Sequence, residues 1–147
     1  MTSSPLVVSL SGTQLREALE HASRGVEFVD WDMADKAPLG AIDIVVLPPQ
    51  SGAAALARLA QVRTRLVQGL AVGFEGIAGI LPPGLVYANA AGVHDASTAE
   101  LAMALILASQ RGVPDFVRAA NDGRWSPAPH PSLADRTALL IGYGGLG

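Results

Sequence analysis

An α/β fold built on an all-parallel sheet is what the sequence predicts, and three observations predict it. Apolar runs of strand length recur five times in about the first ninety residues. Segments with helical spacing, glycine turns or prolines separate these runs, so strands and helices alternate. A sixth apolar run near the end of the chain passes straight into a glycine-rich hexapeptide. Alternation of this kind places helices on both faces of the sheet, which explains why the strands are apolar throughout.

Residues 6–10 (LVVSL) read as the first buried strand. Ser11 is a candidate N-cap for the helix that follows. Leu15, Ala18, Leu19 and Ala22 recur at i, i+3, i+4 and i+7, one helical face, and Gly25 ends the helix. Residues 26–29 form the second strand. Residues 30–40, with their acids, Pro38 and Gly40, read as a solvated loop. Residues 42–47 form the third strand, closed by Pro48 and Pro49. Ser51 is placed to cap the next helix, which turns Leu56, Leu59 and Ala60 inward. Residues 65–70 form the fourth strand. A glycine turn at residues 72–76 leads into a short helical stretch that Pro82 and Pro83 must end. Residues 85–88 form the fifth strand. The flavodoxin-like strand order 2-1-3-4-5 is the natural arrangement for such a series.

The longest helix comes next. Ser97-Thr98-Ala99-Glu100 fits a capping box, in which serine and glutamate each satisfy a backbone amide of the first turn. Residues 101–108 follow with no polar side chain, so this helix should be covered all round by a second domain or a second subunit. Residues 112–114 should break or kink it. Pro114 suits the first position of a further helix that carries Phe116, Val117 and Ala120 and stops at Asn121-Asp122-Gly123. A proline-rich connector leads to residues 137–141 (TALLI), read as a buried strand.

That strand meets Gly142-Tyr143-Gly144-Gly145-Leu146-Gly147, which fits G-x-G-x-x-G. In that pattern Gly142 permits a tight turn, Gly144 lets backbone approach a pyrophosphate, and Gly147 lets a following helix pack against the strand. That helix would present its first amides and its positive dipole end to the phosphates. An acidic residue for the ribose belongs ~20 residues further on. The chain therefore reads as the front part of a longer protein.

Composition narrows the function classes. Half the residues are hydrophobic and 16% are charged, so the chain can bury a core and has apolar surface to spare. The net charge of −3 offers no basic footprint for nucleic acid. Without cysteine there is no disulfide, thiolate metal site or cysteine nucleophile, which fits a cytoplasmic location. The first ten residues lack the charged and apolar regions of a signal peptide. The apolar run at 101–108 is far short of the ~20 residues of a membrane span. His21, His94 and His130 are too scattered for a local metal set, and only His94 sits near an expected cleft. Asp30, Asp32 and Asp35 lack the glycine and glutamate of a calcium loop. There is no G-x-S-x-G elbow for serine hydrolase chemistry.

Glu100 in TAELAMALILASQR, Gly123 and Trp125 in NDGRW, Leu133 in SLADRTALLIGYGGLG and the closing glycines form one ordered series. The series resembles the NAD-dependent D-2-hydroxyacid dehydrogenases, which include phosphoglycerate dehydrogenases and hydroxypyruvate/glyoxylate reductases. The resemblance spans roughly residues 70–147; before that only the strand-helix rhythm matches. It implies a flavodoxin-like substrate-binding domain at residues 1–93, lacking its C-terminal return. It implies the start of an NAD-binding Rossmann domain at residues 94–147, with linker helices, a first strand and the glycine loop. The cofactor implied is NAD, with NADP as the alternative, and the substrate a small 2-hydroxy or 2-keto acid. The assembly implied is a homodimer.

The resemblance also implies site residues. Val72 and Gly73 would offer backbone N–H groups to the substrate carboxylate, and adjacent amides in a tight turn do form anion-binding nests. Gly73 also has the plainer reading of a turn residue. Gly142, Gly144, Gly145, Leu146 and Gly147 would hold the pyrophosphate. Thr98 would lie near the nicotinamide, or serve only as a capping hydroxyl. Glu100 is read as a cap and not as a general acid. Ala91 stands where the family often has proline, and Glu75 where it has aspartate. The family's arginine, glutamate and histidine lie past the early strands of the nucleotide fold, so these 147 residues are expected to show no turnover alone. A second function class stays open: a dinucleotide-sensing corepressor or a catalytically dead paralogue of the same fold.

Overall fold

The computed structural model describes residues 4–147 apart from residues 22, 50 and 78. Ala22, expected on the first helical face, lies outside the described residues. The chain divides into two compact units, Met1–Ala91 and Gly92–Gly147.

The first unit holds a five-stranded sheet of β1 (Leu6–Leu10), β2 (Val26–Asp30), β3 (Ile44–Val46), β4 (Leu66–Gln68) and β5 (Val86–Ala88). The order is 2-1-3-4-5 and every pairing is parallel, as the sequence predicts. Successive side chains of a strand point to opposite faces, so the sheet has two apolar faces. Val8, Leu10 and Val46 meet Leu15 and Leu19 of α1 (Thr13–Glu20) on one face. Val45, Leu47 and Val67 meet Leu56 and Leu59 on the other. Burying each such aliphatic side chain contributes roughly 1.5–3 kcal/mol.

Several boundaries differ from the sequence reading for local reasons. The cap of α1 is Gly12 and not Ser11, because the chain leaves β1 through a positive φ of 85° that glycine takes readily. Ser51 does not cap α2 (Ala53–Ala57) either. Gly52 holds that place, and the Ser51 hydroxyl donates to the Pro48 carbonyl at 2.6 Å. After α2 the chain tightens into a 3-10 turn, Arg58–Gln61. A three-residue period aligns Leu56, Leu59 and Val62 on the buried side and turns Ala60 out to solvent. Among the described residues, 77–81 make turns and no regular helix, with one helical bond from Leu81 N to Ile77 O before Pro82.

The third strand is shorter than expected because Asp43 works sideways. Its carboxylate accepts the Val7 amide at 3.0 Å, and its carbonyl accepts Arg65 N and Leu66 N. The loop after β2 is less solvated than its acids suggest. Trp31 and Met33 are buried in the same core as Val45, and the Trp31 indole donates to the Asp35 carbonyl.

The second unit holds α3 (Asp95–Gln110) and α4 (Val113–Asn121), joined by Gly112 in the left-handed conformation. Here α3 starts earlier than expected. His94 is its N-cap, and Ser97 uses its hydroxyl as a donor to the His94 carbonyl at 3.0 Å, so the Ser97–Glu100 capping box is not formed. All-round burial of α3 is not met within this chain: none of its residues is buried, and Leu105 is 61% exposed. Pro114 is the second residue of α4, one past the expected first position, and the residue α4 buries is Ala119 and not Phe116, Val117 or Ala120. Residues 137–141 form no strand, and Ile141 is 92% exposed. A strand's backbone groups need a neighbouring strand, and this unit contains none.

Candidate functional site

In open parallel sheets the carboxyl ends of the strands are where ligands bind. The chain leaving β4 there runs Gly69-Leu70-Ala71-Val72-Gly73, beside the chain leaving β5. Gly69 N donates to Ala88 O at 2.7 Å, and Ala90 N donates to Ala71 O at 3.0 Å. The Asn89 side chain donates to Val72 O at 2.8 Å and accepts Ala91 N at 3.3 Å. Gln68 closes the set, its amide donating to Gly69 O and Asn89 O. Val72 N and Gly73 N donate to no acceptor among the described residues. The two predicted amides are thus adjacent and available.

A concavity of about 420 Å³ opens beside Gly73, lined also by Leu47, Pro48, Gly69, Leu70 and Tyr87 among others. A neighbouring one, about 450 Å³, is lined by Phe74, Ile77, Leu81, Tyr87 and Asn89. Tyr87 borders both. Its hydroxyl stands where a Cβ on residue 69 would be, so the absence of a side chain at Gly69 is what lets the Tyr87 ring lie there. The walls are mostly apolar and the polar groups few, the usual make-up of a small-molecule site. One feature opposes an anion: Glu75 folds back, its Oε2 2.7 Å from where a Cβ on Gly73 would stand.

The glycine loop lies in the second unit. Gly142 has φ 93°, and Gly147 N donates to Gly144 O at 3.2 Å. Space for a Cβ is open at Gly142 and Gly144, whereas at Gly147 a Cβ would meet the Gly142 carbonyl. At Gly145 it would meet the Asp95 carboxylate. Tyr143 is exposed, and so is Leu146. No strand leads into the loop, and the Asp95 carboxylate lies against Gly145.

Thr98 is exposed in the first turns of α3 and makes no capping bond. Glu100 is exposed on the same helix. Of the histidines, His21 faces solvent as expected and His94 is exposed at the start of α3. His130, read as connector, packs edge-on against Phe116 with ring centroids 5.3 Å apart and lies against Gly112. No cluster of three metal-ligating side chains occurs among the described residues, and no described helix is long and apolar enough to cross a membrane. Sequence reasoning missed Asn89, Gln68 and Tyr87. The signal for Asn89 was present: an asparagine just past a strand end is a residue that hydrogen-bonds local backbone.

No family model matches the chain. Over 66 residues it is 39% identical to a D-3-phosphoglycerate dehydrogenase of Archaeoglobus fulgidus, a segment that is 44% of this chain and 12% of that protein. Solved structures share its fold. One is an NADPH-dependent glyoxylate/hydroxypyruvate reductase from Sinorhizobium meliloti in complex with NADP and sulfate, at TM-score 0.72 and 20% identity, covering 98% of this chain and 46% of that one. Another is a D-isomer specific 2-hydroxyacid dehydrogenase from Xanthobacter autotrophicus Py2 in complex with NADPH and MES, at TM-score 0.63 and 20% identity, covering 90% and 44%. A D-mandelate dehydrogenase from Rhodotorula graminis follows at TM-score 0.59 and 20% identity, covering 82% and 41%. The chain thus spans less than half the length of the proteins it matches. The resemblance carried by the sequence motifs is found again in a sequence relative and in the fold.

Proposed function

We propose that this chain is the front part of a 2-hydroxyacid dehydrogenase, an oxidoreductase that moves hydride between NAD(P)H and the C2 of a small 2-keto or 2-hydroxy acid. The observation that carries the reading is the pair of available amides, Val72 N–H and Gly73 N–H, at the carboxyl edge of the sheet. In this role they hold the substrate carboxylate and fix the acid's orientation. Apolar walls from Leu47, Leu70 and Tyr87 limit water around it and set the size of the group that fits.

The dinucleotide, when bound, supplies the hydride. Relatives in complex with NADPH or NADP support this cofactor class. On this reading Gly142, Gly144, Gly145, Leu146 and Gly147 close on the pyrophosphate only once a strand and helix flank them and Asp95 has moved aside. Thr98 then borders the nicotinamide. Proton transfer and polarisation of the carbonyl fall to residues beyond Gly147, so this chain binds the acid without turning it over. The exposed apolar length of α3 supports a homodimer, and the charge balance supports a partner list without nucleic acid.

The test is a titration of the ¹⁵N-labelled chain with glyoxylate, against sodium chloride at equal ionic strength. Saturable shifts at the Val72 and Gly73 amides, with a Kd on the order of 1 mM, are expected. Shifts no larger than those with chloride would overturn the reading.

A further inference from the structure

The geometry points to Asn89 as the positioning residue of the carboxylate-binding turn, acting through one peptide plane. This inference rests on the proposed role of Val72 and Gly73. In a trans peptide the C=O of one residue and the N–H of the next point in opposite directions, and the described chain contains no cis peptide. The direction of Val72 N–H is therefore set by the Ala71 carbonyl, and that of Gly73 N–H by the Val72 carbonyl.

Both carbonyls are drawn toward the chain leaving β5, but by different donors. Ala71 O is held by a backbone amide, Ala90 N, at 3.0 Å. Val72 O is held by a side chain, Asn89 Nδ2, at 2.8 Å. Two consecutive carbonyls turned to one side leave two consecutive amides turned to the other, which is what an anion-binding pair requires. Backbone pairing alone orients the first of the two. Among the described residues, Asn89 alone orients the second.

Asn89 is itself fixed. Its Oδ1 accepts Ala91 N, and its carbonyl accepts the Gln68 side chain. A flipped amide would set oxygen against the Val72 oxygen and NH₂ against the Ala91 amide, so only one orientation satisfies both partners. Aspartate has the same shape but no donor. It can keep the Ala91 bond and cannot keep the Val72 bond.

The test compares the unaltered chain with Asn89→Asp and Asn89→Ala in the glyoxylate titration, with thermal melting of each variant alongside. The expected result is site-resolved. In Asn89→Asp the Gly73 response falls by about tenfold, while the Val72 response persists. A general loss of structure would move both amides together. Equal Gly73 responses in the unaltered chain and Asn89→Asp would overturn the inference and leave the carboxylate reading standing. No response in the unaltered chain would overturn both. Should neither variant fold, the through-hydrogen-bond coupling between Asn89 Nδ2 and the Val72 carbonyl carbon in the unaltered chain decides: its presence supports the inference and its absence overturns it.

Discussion

Leu6–Leu10 and residues 137–141 are both apolar runs of five residues, LVVSL and TALLI. The first is the interior strand β1, paired with β2 on one side and β3 on the other. The second forms no strand and stands open to solvent. Helices show no such divide: α1 and α3 are both regular, although α1 covers a sheet and α3 buries no residue. The difference lies in where hydrogen bonds go. A helix pairs its own amides four residues back. A strand borrows its partners from elsewhere in the chain, and without them the apolar pattern has nothing to act on.

Core truncation should sharpen this contrast most. Leu56→Ala removes a side chain only 1% exposed and should cost about 3 kcal/mol in urea unfolding. Leu105→Ala in α3 should stay within about 0.5 kcal/mol at low protein concentration. A loss at Leu105 as large as at Leu56 would break the contrast, and would mean that α3 is covered by another copy. Sedimentation over a concentration series reads the same point directly.

The elbow between α3 and α4 is next. Gly112 has φ 66°, and a Cβ there would run into the His130 ring. Gly123 has φ 65° with open space around it. Gly112→Ala should therefore cost about 2 kcal/mol and Gly123→Ala about 1 kcal/mol, read by hydrogen exchange of α4 amides. Adding His130→Ala should recover the difference in the first variant and do nothing in the second.

Ser9, in the middle of β1, is fully buried, and its hydroxyl has no partner among the described residues. Ser9→Ala should be neutral or stabilising by up to about 1 kcal/mol in the same urea assay. A clear loss would mean that the hydroxyl has found a partner. The smallest expected effect is at the candidate site. Glu75→Gln removes a like charge beside Gly73 and should tighten glyoxylate binding by roughly threefold, less at high salt.

Much of the first unit was legible because its signals are local. Apolar runs marked all five strands, and their alternation with helices implied the parallel order that formed. The errors have specific causes. Trp31 and Met33 sit among acids and turn residues, so nothing local marks them as core. Ala60 looked buried because a period of 3.6 was assumed where the chain winds at three residues per turn. At the site, Val72 and Gly73 came from a family resemblance, and the bonds leave their amides available. Asn89 went unnoticed because its partner, Val72, lies 17 residues back in the sequence.

From the sequence alone came most helices and strands, the parallel α/β class, and a glycine turn after the fourth strand. These follow from side-chain periodicity and from glycine and proline, which act within a few residues. Tertiary structure decided which apolar runs became strands, which loop residues joined the core, and which way the Val72–Gly73 peptide faces. Each of those depends on a hydrogen bond or a packed surface supplied from a distant part of the chain.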